Sequence, residues 1–133
     1  MTQFNSLTPN LMVTDVVDSL RWYERVLDAA ELGRMPADSD DPEWAQVGFG
    51  DVSVMFQGRD SLAADVPALA EVDIGGSLTL YVDVEDVEGL HERVVDREGA
   101  SVAQALRETE YGRREFAVED PDGYVLAFGE KLS

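Results

Sequence analysis

Hydrophobic and polar residues alternate along several short stretches of the chain, and each of these stretches predicts a β-strand. Residues 7 to 13 show the pattern, with Leu11 and Val13 on one side and Thr8 and Asn10 on the other. Strict alternation is typical of a strand that buries one face and leaves the other open. The chain is therefore predicted to begin with a half-buried strand.

The next stretch, "DVVDSLRWYERVLDA", repeats its apolar side chains at helical spacing, and Asp15 or Asp18 can cap the first turn. A weak strand ("AELGRM") and two alternating runs ("EWAQVGFG" and "DVSVMFQG") follow. Gly50 and Asp51 between the last two runs predict a hairpin turn. The first half of the chain is thus predicted to be β-α-β-β-β.

The second half repeats this order. "SLTLYVDV" predicts a strand, "EDVEGLHERVVDREGA" a helix, "SVAQALRE" a weak strand, and "RREFAVE" with "YVLAFGE" a closing hairpin. Thr79 lies 71 residues after Thr8, and Phe128 lies 72 residues after Phe56, so the registers of the two halves agree to within one residue. We therefore predict an internal duplication, with modules at residues 1–57 and 77–133 and a linker at 58–76.

Two such modules predict an α+β fold in which two curled sheets enclose a cleft and the helices lie outside. Arg114 and Phe116 join the cleft side if the last hairpin pairs Glu119 with Tyr124. Such a mixed apolar, aromatic and polar lining is typical of a small-molecule pocket. The other side chains expected to face the cleft are Thr8, Asn10, Trp44, Gln46, Met55, Gln57, Thr79, Tyr81 and Asp83.

The charge of the chain restricts its partners. It has 28 acidic and 10 basic residues, a net charge of -18, and no cysteine. A field of this sign repels nucleic acid and anionic membranes, whereas cationic and neutral molecules remain possible partners. The scattered acidic residues are also typical of a halophilic protein surface. No signal peptide or membrane-spanning run is evident, so we expect a cytoplasmic protein.

In order and spacing, "PNLMVTDVVDSLRWYERVL", "LYVDVEDVEGLHERV" and "DPDGYVLAF" resemble the vicinal oxygen chelate superfamily of glyoxalases, extradiol dioxygenases and bleomycin-resistance proteins. The resemblance covers nearly the whole chain. In metal-using members, the ligands are a His or Gln in the first strand and a Glu in the last strand of each half. These positions fall on Thr8, Met55, Thr79 and Ala127, so the resemblance implies no metal and no other cofactor here.

The chain is closest in character to the metal-free bleomycin-resistance proteins, which are small, acidic homodimers that sequester a planar cationic antibiotic. By that resemblance, Trp44, Tyr81 and Phe116 would stack on flat rings and Asp83 would meet a positive charge. A glyoxalase-like lyase or isomerase, or a dioxygenase-family enzyme, is the alternative. Asp83 and Tyr81 would then act as acid and base on a small carbonyl compound, and Arg114 would hold an anionic substrate. A regulatory or interaction subunit is the third possibility.

Overall fold

The computed structural model describes residues 1 to 133, and its first half contains four strands and one helix. The order β-α-β-β-β predicted for this half is confirmed. The elements are β1 (Asn10–Val13), α1 (Val16–Leu27), β2 (Ala30–Met35), β3 (Trp44–Phe49) and β4 (Val52–Gly58).

The second half repeats the order after a connection that is itself partly helical. The connection holds helix α2 (Arg59–Asp65) and a 3-10 turn (Pro67–Leu69). Residues 58–76, expected to be a linker, therefore include a helix that the sequence pattern did not predict. The elements that follow are β5 (Thr79–Asp83), α3 (Val87–Val94), β6 (Val102–Glu108), β7 (Arg113–Glu119) and β8 (Val125–Lys131).

Each half forms its own four-stranded sheet, and the strand order is the same in both. The first sheet runs β1-β4-β3-β2 and the second runs β5-β8-β7-β6. In each sheet the first strand is parallel to the last, and the other pairs are antiparallel. Asn10 pairs with Met55, and Tyr81 pairs with Ala127 at the equivalent position of the repeat. The α+β fold of two tandem βαβββ modules is thus confirmed.

Helix α1 begins and ends where its local chemistry favours it. The Asp15 carboxylate accepts a hydrogen bond from the Asp18 backbone N–H at 3.1 Å, which satisfies one of the unpaired donors of the first turn. Asp28 ends the helix in the left-handed conformation. The buried face, which includes Leu20 and Val26, packs on the first sheet.

No helix of the structure is long and apolar enough to cross a lipid bilayer.

One apolar core joins the two modules. It contains 21 buried residues from both sheets and from helices α1 and α3. Tyr23, Phe56 and Phe128 are among its largest members and are almost inaccessible to water. Because removal of apolar surface from water is the main stabilising contribution to folding, neither module keeps its full core without the other.

Three buried aromatic side chains add polar contacts between the modules. The Tyr23 hydroxyl donates to Asp120 at 2.7 Å, and the Tyr124 hydroxyl donates to the backbone oxygen of Met12 at 2.8 Å. The Trp22 indole N–H donates to the backbone oxygen of Gly99, also at 2.8 Å. Buried polar groups are costly without partners, so these bonds fix how the modules sit against each other.

Candidate ligand-binding site

The open face of each sheet is the side opposite its helix, α1 or α3. The helix-facing side of each sheet carries buried apolar residues, as the alternation predicted. Those that are almost fully buried include Leu11, Val13, Val47, Val54, Phe56 and Val82. Candidate site residues must therefore come from the open faces or from the seam between the sheets.

The four positions that would hold a metal in metal-using relatives do not offer suitable ligands. Thr8 lies just before β1, Met55 pairs with β1, Thr79 begins β5, and Ala127 lies opposite Tyr81. Two hydroxyls, a thioether and a methyl group do not match the imidazole and carboxylate ligands that a divalent catalytic metal requires. Nowhere in the structure do three His, Asp or Glu side chains converge on one point.

The open face of the first sheet carries amide side chains that bond to one another and to α2. The Asn10 amide N–H donates to Gln57 at 2.9 Å. Gln57 in turn donates to Ser61 at 2.9 Å and to Asp65 at 2.8 Å. Both acceptors belong to α2, whose Leu62 is buried. Helix α2 therefore covers part of this face, at β1 and β4.

The rest of this face is half-buried rather than covered. Trp44, Gln46 and Met55 keep part of their surface accessible. Gln46 donates to Ser53 at 3.2 Å. The structure thus places Asn10, Trp44, Gln46, Met55 and Gln57 on one face, as predicted from the alternation.

The open face of the second sheet carries a connected polar cluster. Both Glu115 carboxylate oxygens accept hydrogen bonds, one from the Tyr81 hydroxyl at 2.6 Å and one from the Tyr111 hydroxyl at 2.7 Å. The Arg113 guanidinium donates to the Tyr81 hydroxyl at 2.6 Å and to the Asp83 carboxylate. We call these five residues the Glu115 cluster. Of them, Glu115 is only 4% exposed, whereas Tyr81 is 49% exposed.

The environment of the cluster keeps Glu115 ionised. Burial acts to raise the pKa of Glu115, but hydrogen bonds from Tyr81 and Tyr111 and the charges of Arg107 and Arg113 outweigh it, so the pKa is lowered. Burial raises the pKa of Tyr81, and its bond to Glu115 adds to this, while Arg113 acts in the opposite direction. The cluster is therefore a fixed carboxylate held by neutral phenols and a cation.

Tyr81 and Asp83 were predicted from the sequence to line the site. The other three residues of the cluster were not: Tyr111, Arg113 and Glu115. For Arg113 and Glu115 the cause is the register of the last hairpin, in which Glu119 pairs with Val125 rather than with Tyr124, whereas Tyr111 lies in the turn before β7. A shift of one residue moves every side chain of a strand to the other face. With the observed pairing, alternation from Ala127 through Ala117 would have identified Glu115 and Arg113.

The same shift removes two residues from the predicted site. Phe116 is completely buried in the core, where it forms a T-shaped contact with the His91 ring at a centroid distance of 5.0 Å. Arg114 lies on the helix-facing side and pairs with Glu88 at 2.8 Å and Glu108 at 2.6 Å. The predictions that Phe116 and Arg114 share the open face are therefore wrong.

A cavity of about 480 Å³ lies at the seam between the two sheets. It brings Thr8 and Ser53 of the first module together with Thr79 and Tyr81 of the second, and most of its other lining residues are apolar. This volume lies in the range of small-molecule sites. The structure thus unites Thr8, Thr79 and Tyr81 at this cavity, which we call the seam cavity.

These observations define a class of protein: a tandem βαβββ fold with polar and aromatic open faces and a cavity where the modules meet. The chain matches the Glyoxalase/Bleomycin resistance protein/Dioxygenase superfamily over residues 3–128, and it belongs to that family. An uncharacterized protein of Mycobacterium bovis is 28% identical over 128 residues, which span 96% of this chain and 84% of that protein.

Solved structures with the same fold include an enzyme and a binding protein. TioX from Micromonospora sp. ML1 superposes with a TM-score of 0.72 at 23% identity, covering 97% of this chain and 100% of TioX. A glyoxalase-related enzyme from Fulvimarina pelagi gives 0.75 at 22% identity, with 96% and 89% covered. A bleomycin-binding protein from Streptomyces verticillus, complexed with copper(II)-bleomycin, gives 0.65 at 23% identity, with 100% and 99% covered.

Proposed function

We propose that this protein binds and sequesters a small aromatic or cationic molecule between its βαβββ modules, without a metal. The observation that carries the proposal is the donor set at the four family metal positions: Thr8, Met55, Thr79 and Ala127. A hydroxyl, thioether or methyl group at each position leaves no anionic or imidazole ligand to hold a divalent ion. Binding is then the family activity that these residues still support.

The accessible chemistry of the site favours a ligand of this kind. The seam cavity offers apolar surface with the hydroxyls of Thr8, Ser53 and Thr79 along it. The net charge of -18 attracts cations over a distance. The fold shared with a protein that binds copper(II)-bleomycin adds support for a binding role. A cytoplasmic homodimer that protects its host by sequestration completes the proposal.

The enzyme alternative needs a free acid or base on the open face. Asp83 is paired with Arg113, and the Tyr81 hydroxyl already donates to Glu115. The raised pKa of Tyr81 also disfavours its action as a base near neutral pH. These contacts favour binding over proton transfer as the role of Asp83 and Tyr81.

Native mass spectrometry of protein purified without chelator or affinity metal tests the proposal. We expect a dimer without stoichiometric metal, alone or with a small organic adduct that the denatured chain has lost. The same sample, incubated with Zn²⁺ or Ni²⁺ and then desalted, should return to the metal-free mass. One divalent ion retained per chain after desalting would refute the proposal and make a metalloenzyme the leading hypothesis.

A further inference from the structure

The Arg113 side chain occupies a place on the second open face that suits a planar cation. Its guanidinium carbon lies 5.4 Å from the centre of the Tyr81 ring. Its nitrogens donate to the Tyr81 hydroxyl and to the Asp83 carboxylate. An aromatic ring, a phenol oxygen and a carboxylate together are a typical environment for an amidinium or guanidinium group. The structure thus shows this place filled by a cation of that class.

We infer that Tyr81 and Asp83 of the Glu115 cluster form a binding site for a planar amidinium or guanidinium cation, and that Arg113, another member of the cluster, occupies this site in competition with the ligand. This inference rests on the proposed binding function and names the class of molecule bound. Arg113 is the first residue of β7 and follows Gly112, whose φ of +83° marks a turn. Because an arginine side chain has several rotatable bonds, the Arg113 guanidinium can leave the site while the backbone of β7 stays in place.

The charges of the cluster explain why release of Arg113 creates a site. Asp83 and Glu115 are balanced by Arg113 and Arg107, which both lower the pKa of Glu115. When Arg113 leaves, one negative charge is no longer balanced, and the ring of Tyr81 loses its cation. An incoming cation restores both interactions. Asp83 is largely exposed, with 77% of its side chain accessible, so a ligand can reach it from solvent.

Glycine at position 129 is part of how the site is built. A Cβ there would overlap the Tyr81 hydroxyl and lie 2.7 Å from the Tyr81 Cζ atom. Gly129 pairs with Asp83 across β5 and β8. The missing side chain therefore gives Tyr81 the room to lie against the sheet with its hydroxyl on Glu115 and one ring face open.

The test compares benzamidine, a planar aromatic cation, with benzamide, its neutral counterpart, by NMR titration. Arg113→Gln should bind benzamidine more tightly than the wild type. If Arg113 fills the site for about nine-tenths of the time, the gain is about tenfold. Benzamide binding should be unchanged. Asp83→Asn in the Arg113→Gln background should abolish the gain.

Arg114→Gln is the matched control, because it removes the same charge from the adjacent residue on the opposite face. Its benzamidine affinity should stay close to that of the wild type. An equal gain in Arg114→Gln, or no gain in Arg113→Gln with a native circular dichroism spectrum, would overturn the inference. If all variants bind benzamide and benzamidine alike, the cation site fails while the proposed binding function stands. If no variant binds benzamide or benzamidine but the purified protein carries a small organic adduct, the cation site also fails while the proposed binding function stands.

Discussion

The hydrogen bond between Tyr23 and Asp120 should contribute strongly to stability, and Tyr23→Phe tests this directly. Tyr23 is fully buried and Asp120 is 5% exposed, so water cannot easily replace the hydroxyl. The other Asp120 oxygen accepts from the backbone N–H groups of Asp122 and Tyr124 at 2.9 and 3.0 Å. Loss of the hydroxyl therefore leaves one oxygen of a buried carboxylate without its donor.

The expected size of the effect follows from this geometry. A hydrogen bond to a charged partner contributes about 1.5 to 3 kcal/mol. With an unfolding entropy of about 2.1 cal/mol/K per residue, 1 kcal/mol shifts Tm by about 4 °C in this chain. Tyr23→Phe should therefore lower Tm by about 6 to 12 °C, as measured by differential scanning calorimetry.

Tyr111→Phe is the matched control, since it also removes a phenol that donates to a carboxylate, at 2.7 Å from Glu115. Tyr111 is 66% exposed, so water can take its place and the loss should be below about 1 kcal/mol. Equal losses in Tyr23→Phe and Tyr111→Phe would refute the argument that burial determines the value of the bond.

The pH dependence gives a second check on Tyr23. Burial, with the charge of Asp120 and the hydrogen bond to it, raises the pKa of Tyr23 well above its ordinary 10.0. The unfolded chain then releases this proton first, so the stability that depends on it is present below pH 10.0 and is lost as pH rises further. The difference in stability between wild type and Tyr23→Phe should therefore narrow above that pH.

Three further predictions concern a glycine, a helix cap and the acidic surface. Gly129→Ala should displace the Tyr81 hydroxyl from Glu115 and cost about 1 kcal/mol in urea unfolding; unchanged stability would contradict the overlap. Asp15→Ala removes the N-cap of α1 and should cost about 1 kcal/mol in the same assay, whereas no loss would show that Asp15 does not cap in solution. When salt is lowered from about 1 M to about 0.01 M, the screening length grows to about 30 Å. Because the net charge is -18, the acidic side chains then repel one another more strongly and Tm should fall. An unchanged Tm would argue against salt adaptation.

The order of elements could be read from the sequence because each one has a local cause. Alternation identifies the strands, Asp15 marks the start of α1, and Gly50 marks the first hairpin. The repeat supplied an independent check, since an element predicted in one half had to appear in the other. The family followed from the same order and spacing.

The register of the last hairpin has no comparable local cause. The turn from Asp120 to Gly123 is compatible with pairing of Glu119 to either Tyr124 or Val125. The structure places Tyr124 in the core, where its hydroxyl reaches the Met12 backbone oxygen. This contact lies far away in sequence, so no local pattern reveals it. The wrong predictions for Phe116 and Arg114, and the failure to predict Glu115, all follow from the wrong register of this hairpin.

Helix α2 was not predicted for a related reason. Its seven residues are too short to form a stable helix alone, and they carry no clear apolar period. What supports it is tertiary: Leu62 is buried, and the Gln57 amide donates to Ser61 and Asp65. Those partners become neighbours only after β4 has taken its place in the sheet.

The two open faces differ at two pairs of equivalent positions, and these differences change how each face is covered. In the first sheet Asn10 bonds to Gln57, which holds α2 over the face. In the second sheet the repeat places Tyr81 where Asn10 stands and Gly129 where Gln57 stands. Because glycine has no side chain, position 129 cannot bond to a covering segment as Gln57 bonds to α2, and the Tyr81 ring lies in the space above it.

Helix α2 therefore covers the first face at β1 and β4, whereas on the second face one flexible side chain, Arg113, lies against Tyr81 and Asp83. Uncovering the first face requires α2 to move, with loss of the buried Leu62 contacts and of two hydrogen bonds from Gln57. Uncovering the second requires only rotation of Arg113 away from Asp83 and Tyr81, and an incoming cation regains those contacts. We therefore expect the second face, rather than the part of the first face under α2, to bind a small cation without rearrangement of the fold.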